Sequence, residues 1–132
     1  MRPMIEVIDV VDWLESLPLG LEGLCYNSTI DGGLDKCVGV YSRRHPLLQP
    51  QSVGRQSSYG YRSISLLVHW TQSATASEAK AQEIWNELVR NHKTVIGNRV
   101  CHIDARTEPI TIGQDDRGIF EVVLDFDITI TN

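Results

Sequence analysis

Thiols and imidazoles are the side chains of this sequence best suited to hold a metal or to attack a substrate. A zinc site needs them at short fixed spacings, such as Cys-x-x-Cys or His-x-x-x-His. Neither spacing occurs here, so the sequence predicts no metal site and no cofactor. These side chains include Cys25, Cys37, Cys101, His45, His69 and His102.

A cysteine beside a histidine can act as a nucleophile, because the imidazole accepts the thiol proton. Cys101 and His69 would have to meet in the fold to do this, and nothing in the sequence brings them together. Free cysteine is among the most frequently buried residue types, so each of the three cysteines is interpreted as a structural thiol. Their odd number and wide spacing fit reduced thiols in a cytoplasm better than a disulfide framework. We therefore predict no catalytic residue and no enzymatic activity.

Acidic residues gather near the C-terminal end, where Asp115 and Asp116 follow Asp104 and Glu108. The ligand rhythm of a calcium-binding loop is absent, and aspartates of this kind are common in solvated turns. The glycines match neither Gly-x-Gly-x-x-Gly nor Gly-Lys-Ser/Thr, so no phosphate-binding loop is predicted.

Arginines form the most basic part of the chain, at Arg43, Arg44 and Arg55. Arginine pairs with carboxylates and phosphates through its planar fork of donors. Two interpretations stay open, a solvated loop or a surface that contacts an acidic or phosphorylated partner. Residues 43–59 contain two prolines and no hydrophobic period, and they predict a long loop.

Length and composition place the chain among globular proteins. Its 132 residues fit one domain, 1–132, with a hydrophobic fraction of 42% and a charged fraction of 22%. The net charge of −5 argues against a surface that binds any nucleic acid, and no sequence-specific reader is indicated. No segment reaches the roughly 20 apolar residues of a membrane helix. The N-terminal segment carries three acids before residue 13 and does not resemble a signal peptide.

Two segments show the periodicity of amphipathic helices. Residues 3–17 carry an apolar stripe that ends before Pro18 and Gly20, with Ile5, Ile8 and Trp13 off that stripe. Residues 75–92 carry a second stripe of Ala81, Ile84, Trp85, Leu88 and Val89. Thr75 and Glu78 match a capping box at the start of this second helix, with Ser77 as a rival cap.

Strand patterns fill much of the remaining chain. Leu24–Ile30 and Lys36–Ser42 predict a hairpin about the glycine pair that follows Asp31. Residues 60–71 predict a strand with Ile64, Leu66, Val68 and Trp70 on one face. Residues 99–130 predict strand, strand, turn, strand, with the turn at 115–118 and Pro109 at an edge or a bulge.

The closing strand alternates almost without fault from Phe120 to Ile130. One face is apolar, and the other carries Glu121, Asp125 and Asp127. At about 3.4 Å per residue it spans nearly 40 Å, which exceeds the usual strand of about 5 to 6 residues. We expect either that it outruns its own domain or that its far end pairs with something else. The alternation predicts an α+β fold, a mostly antiparallel sheet with the two helices packed on one face.

The order of these elements resembles the small minor capsid and tail-terminator (tail-completion) proteins of long-tailed bacteriophages and prophages. Two segments carry the resemblance, "GYRSISLLVHWTQSATASEAKAQEIWNEL" and "RTEPITIGQDDRGIFEVVLDFDITI". The resemblance covers about residues 4 to 130 and rests on layout rather than on an invariant signature.

The resemblance implies a structural virion protein that assembles with itself into a ring, expected to be a hexamer. The ring would cap the tail tube at its head-proximal end and meet the head–tail connector protein. The protein would be made in the bacterial host cytoplasm and reside at the head–tail junction of the virion. The family carries over no catalytic residue.

In a head-to-tail ring, acids of one copy are expected to lie near arginines of its neighbour. The predicted interface residues are Arg43, Arg44, Arg55, Asp115, Asp116, Glu121, Asp125 and Asp127. Two alternatives belong to other classes. One is a small cytoplasmic enzyme or metal-binding module that uses Cys101, His102 or His69. The other is a monomeric, ferredoxin-like module that binds a small ligand against its sheet.

Overall fold

The computed structural model describes residues 5–27, 36–43 and 59–131, and within them the chain forms two helices and six strands. This confirms the predicted α+β class. Pro3, the turn at residues 31–33 and most of the loop predicted at 43–59 lie outside the described residues. The elements are α1 (Val7–Ser16), β1 (Cys25–Asn27), β2 (Cys37–Arg43), β3 (Tyr59–His69), α2 (Ala74–Arg90), β4 (Lys93–Ile96), β5 (Arg99–Gln114) and β6 (Phe120–Thr131).

The six strands make one sheet in the order β1-β2-β3-β6-β5-β4, and every neighbouring pair except β1–β2 is antiparallel. The closing strand β6 lies inside this sheet. It pairs with β3 from Thr131 to Glu121 and with β5 from Thr131 to Phe120. The expectation that it outruns its domain is therefore wrong, because both of its edges are used within the chain. Its length reflects its place between two long strands.

The predicted hairpin of β1 and β2 is also wrong. The two strands run parallel, with Cys25 opposite Val38 and Asn27 opposite Val40. A two-residue glycine turn reverses the chain and makes antiparallel neighbours, whereas parallel neighbours need a connection long enough to bring the chain back. β1 is only three residues long.

The stretch predicted as two strands before the turn is one bulged strand, β5. Its register against β6 shifts three times, between Ala105 and Thr107, between Thr107 and Ile110, and between Thr111 and Gly113. Pro109 lies within the second shift, as predicted, since proline cannot donate to a regular ladder. The short strand β4, which pairs with the first residues of β5, was not predicted.

Helix α1 begins at Val7, later than the predicted start, and ends at Ser16 before Pro18. The carboxylate of Asp9 accepts a hydrogen bond of 2.9 Å from the backbone N–H of Glu6, which satisfies an otherwise orphaned donor at the helix start. Trp13 is buried although it lies off the predicted stripe.

The sheet is curled around α1. This helix contacts β1 and β2 near one edge of the sheet and also β4 at the opposite edge. The indole N–H of Trp13 donates to the hydroxyl of Thr94 on β4 at 3.3 Å. Helix α2 instead contacts β3, β6 and β5. The two helices thus attach to different parts of the curled sheet.

One hydrophobic cluster joins the helices to the sheet. It includes the predicted apolar faces of β3 and β6, which confirms their alternation, and Phe126 is its largest fully buried side chain. The predicted stripe of α2 is confirmed at Ala81, Ile84 and Leu88, but Val89 is 52% exposed. The members contributed by β3 and β6 are Ile64, Leu66, Val68, Val122, Leu124, Phe126, Ile128 and Ile130.

Helix α2 is capped by a residue that was not predicted. The hydroxyl of Ser73 accepts a hydrogen bond of 3.1 Å from the N–H of Ala76, so the helix starts before Thr75. Ser77, the other candidate, is buried and its hydroxyl donates to the carbonyl of Thr71 at 3.2 Å.

We expect Ser73→Ala to lower the free energy of unfolding by about 1 kcal/mol, because one helix N–H loses its acceptor. Chemical denaturation of the purified protein measures this. Thr75→Ala is the matched control, since it removes a hydroxyl inside the first turn. It should be neutral within about 0.5 kcal/mol. An equal loss of stability in both variants would contradict the assignment of Ser73 as the cap.

Candidate functional site

The predicted interface residues that the structure describes lie on three parts of the fold. Arg43 is the last residue of β2, where its backbone pairs opposite Ser63, while Arg44 and Arg55 lie outside the described residues. Asp115 and Asp116 form the turn between β5 and β6. The remaining three acids, Glu121, Asp125 and Asp127, alternate along β6.

Residues that alternate along β6 share one face of the sheet, and their cross-strand partners share it too. We call this the outer face, defined by Ser65, Leu67, Val123 and Asp125. Asp125 is half-buried there, and it accepts a hydrogen bond of 2.7 Å from the hydroxyl of Ser65. The outer face is therefore where any contact made through the β6 acids must occur.

Asp127 is not open to a neighbour in the same way. Its side chain is 3% exposed, and its carboxylate accepts a hydrogen bond of 2.5 Å from the Nε–H of Arg106. Asp104 lies 3.8 Å from the same arginine. A buried carboxylate is costly unless it is paired, so this contact serves the stability of the single chain.

His69 connects a thiol to a carboxylate. Its Nδ1 lies 3.8 Å from Cys37 Sγ, and its Nε2–H donates to Asp115 Oδ2 at 2.7 Å. Both ring nitrogens are thus engaged, so the Cys101–His69 pair considered from the sequence does not form. Cys37 is fully buried and His69 nearly so. The contact instead holds the β5–β6 turn against the end of β3.

The hydrogen bond from His69, together with those from the backbone N–H groups of Ile119 and Arg117, lowers the pKa of Asp115 from 3.8 to about 2. A carboxylate whose pKa is lower in the folded state stabilises the fold above its unfolded pKa. That stabilisation is lost as the pH falls through the folded pKa. The stabilisation that Asp115 gives to the fold is therefore lost between about pH 4 and pH 2.

We expect Asp115→Asn to flatten the fall in unfolding free energy of the protein between pH 4 and pH 2. Denaturant titrations at several pH values measure this slope. Asp116→Asn removes the same charge from the same turn without the His69 contact, and its slope should match the unmodified protein. Identical slopes for all three proteins would show that the His69 contact contributes nothing.

The cysteines are poorly suited to nucleophilic chemistry. Burial, with a smaller contribution from Glu15, raises the pKa of Cys25 to about 12, and burial also raises the pKa of Cys101. A thiol with a raised pKa stays protonated near neutral pH and is a weak nucleophile. All three cysteines are free. Among residues 5–27, 36–43 and 59–131, no group of three potential ligands is placed to hold a metal ion.

A shallow pocket of about 240 Å³ lies between α1 and the β4–β5 turn. Its lining residues include Asp9, Asp12, Trp13 and Val95. Ligand pockets are commonly about 300–1,000 Å³ and largely apolar. This pocket is smaller and carries two acids, so it offers little to a drug-sized ligand. None of the described helices is long and apolar enough to cross a membrane.

Two exposed isoleucines on β5 were not predicted from the sequence as part of the protein surface. Ile110 is 55% exposed and Ile112 is 58% exposed, although both are large apolar residues of β5, near its C-terminal end. The signal was present in "EPITIG", where Ile110 and Ile112 alternate with Pro109 and Thr111. Sequence alone gives the alternation but does not tell which of the two faces is covered.

The fold and the surface of the sheet define the class of protein. The chain is a small α+β protein whose unusual surface features are acids and exposed aliphatic side chains on the outer face of one curled sheet. A family model described as "Bacteriophage tail terminator protein" matches residues 5–132. The chain therefore belongs to the bacteriophage tail terminator family, and it is a structural protein of the phage tail. Neither a search of curated proteins nor a search of solved structures finds a significant match.

Proposed function

We propose that this protein assembles with itself into a ring at the head-proximal end of a phage tail, and that the ring joins the tail tube protein to the head–tail connector protein. The observation that carries the proposal is the match of the tail terminator family to residues 5–132, nearly the whole chain. The ring is expected to contain six copies. Assembly takes place in the host cytoplasm before the protein becomes part of the virion.

The outer face supports self-assembly through charge. Asp116 is exposed at the turn, and Glu121 and Asp125 are half-buried on the sheet. The basic residues that could meet them in a neighbouring copy are Arg43, Arg44 and Arg55. A head-to-tail contact brings different surfaces of two identical copies together, and it forms a ring when the rotation between copies closes.

The architecture also supports a proposal about the helices, that both lie on one face of the sheet and leave the outer face open. Buried residues of α1 and α2 belong to the same cluster as the buried residues of β3 and β6. Thiol labelling of Ile112→Cys and Leu124→Cys tests this. The first should react at the rate of an exposed thiol, and the second should be protected by burial. Equal protection would indicate a covered outer face.

Disruption of the gene in the phage tests the proposed function. We expect heads and tails to form separately and to fail to join, and the protein supplied in trans should restore joined particles. Electron microscopy of the lysates measures this, and microscopy of the purified protein with purified tails should show a ring at one tail end. Normal particles without the protein would overturn the proposal.

A further inference from the structure

Four apolar side chains form a continuous strip on the outer face, which we call the outer strip: Leu67, Val123, Ile110 and Ile112. Leu67 pairs opposite Val123, and Val123 pairs opposite Ile110, so the strip crosses β3, β6 and β5 in register. Ile112 continues it along β5. Leu67 and Val123 are half-buried, and the two isoleucines are more than half exposed.

Contiguous apolar exposure has a different meaning from scattered exposure. Single apolar residues on a surface are ordinary, whereas a continuous patch usually marks a contact with another macromolecule. Against the residues that the structure describes, Ile110 is 55% exposed and Ile112 is 58% exposed. The outer strip is therefore open to an occupant from a second molecule.

Acids border the outer strip on both sides. Glu121 and Asp125 lie two residues before and two residues after Val123 on β6, and Glu108 precedes Ile110 on β5. Arg106 is also on β5, but its Nε lies 2.5 Å from the carboxylate of Asp127, with which it forms an ion pair. Arg117 lies at the turn. The border is thus predominantly negative, and it favours a partner that combines apolar and basic side chains.

A second copy that presented the same outer strip would not fit this border. Such an arrangement would bring the acidic border of one copy close to the acidic border of its partner, with no basic residue between them, and like charges brought together cost several kcal/mol. The chain itself carries the complementary chemistry elsewhere. Residues 43–55 contain Arg43, Arg44 and Arg55 together with two leucines and a valine.

We propose that the outer strip of one copy receives residues 43–55 of a second copy, with the leucines and valine on the strip and the arginines at its acidic border. The contact is head-to-tail, because the two surfaces differ. This inference rests on the proposed ring and names the two surfaces that build it. It also explains why isoleucine stands at Ile110 and Ile112, where a free monomer would favour polar residues.

The first experiment removes the apolar part of the contact. Ile110→Thr with Ile112→Thr keeps β-branched side chains, and both residues are exposed, so the monomer should keep its melting temperature within about 2 °C. We expect self-association in sedimentation velocity to weaken by about 30-fold or more. Val89→Thr, at a residue 52% exposed on α2, is the matched control and should associate as the unmodified protein does.

The second experiment tests the charges and the occupant together. Glu121→Arg and Arg55→Glu should each weaken self-association by about 5- to 10-fold. The two changes combined should recover most of the loss, and raised salt should reduce all of these differences.

The outcomes separate the inference from the proposed function. If rings form equally well from the threonine variant, the inference is overturned and the ring survives. If charge reversal shows no recovery in the double variant, residues 43–55 are the wrong occupant. A melting temperature lowered by the threonine changes without an effect on association would place the occupant within the same chain, which also overturns the inference. If the unmodified protein forms no ring alone or on tails, the proposed function fails and the inference fails with it.

Discussion

Phe126→Ala is expected to lower the free energy of unfolding by about 3–5 kcal/mol. Phe126 is fully buried in the central strand β6, and its ring centroid lies 6.5 Å from that of Trp13 on α1. The truncation removes the contact between the sheet and the helix inside its curl, and it leaves a cavity that the surrounding strands cannot close. Domains are commonly stable by only about 5–15 kcal/mol, so the variant should be close to unfolding.

Thermal unfolding followed by circular dichroism measures this effect, which should appear as a fall of about 10–20 °C in melting temperature. Val123→Ala is the control on the same strand. Val123 is half-buried on the outer face, and its truncation should cost about 1 kcal/mol or less. A similar cost for both residues would mean that the two faces of β6 are equally covered. That result would contradict the assignment of Phe126, but not Val123, to the core.

Elements with strong local signals were predictable from sequence. The stripe of α2, the alternation of β6 and the turn before Ile119 each depend on neighbours within a few residues. The turn also matches its residues, since Gly118 has a φ of +82°, which glycine adopts without strain. Local periodicity identifies such elements without knowledge of their tertiary contacts.

Pairing between distant segments was not predictable in the same way. The glycine pair after Asp31 favours a reversal, yet β1 and β2 run parallel. The signal for a turn says nothing about how many residues separate it from each strand. Two strands were predicted before the turn at 115–118, whereas the structure has one strand, β5, with three register shifts against β6. A bulge at Pro109 was predicted, but the number of strands depends on pairing with β6, which is distant in sequence. The cap of α2 was displaced by two residues, which is a common uncertainty at helix ends.

At the candidate site too, local patterns were predictable from sequence and contacts between distant residues were not. Sequence identified the β6 acids and placed them on one face, which the structure bears out for Glu121, Asp125 and Asp127. It did not distinguish them by environment. Asp127 is nearly fully buried because Arg106, which lies between two registers of the bulged strand, reaches its carboxylate. A bulge redirects one side chain, and no local pattern reveals the partner it will meet.

Arg106→Leu is therefore expected to have the second large effect on stability. The side chain of Asp127 is 3% exposed, and the substitution would remove the ion pair that the Nε–H of Arg106 makes with its carboxylate. Loss of one partner from a buried pair commonly costs about 3–5 kcal/mol. The side chain of Arg106 is 48% exposed, and water reaches it, so we expect about 2–3 kcal/mol.

A double-mutant cycle separates the cost of removing Arg106 from the buried carboxylate of Asp127 from the value of the ion pair itself. Arg106→Leu with Asp127→Leu removes both partners, and it should recover at least about 1 kcal/mol relative to Arg106→Leu alone, because no buried carboxylate remains. Denaturant unfolding measures all four proteins at neutral pH. If Arg106→Leu left the stability of the single chain unchanged while it weakened assembly, Asp127 would belong to the subunit interface. A stability loss that the second change relieves assigns Asp127 to the fold, and it leaves Glu121, Asp125 and Asp116 as the acids available to a neighbouring copy.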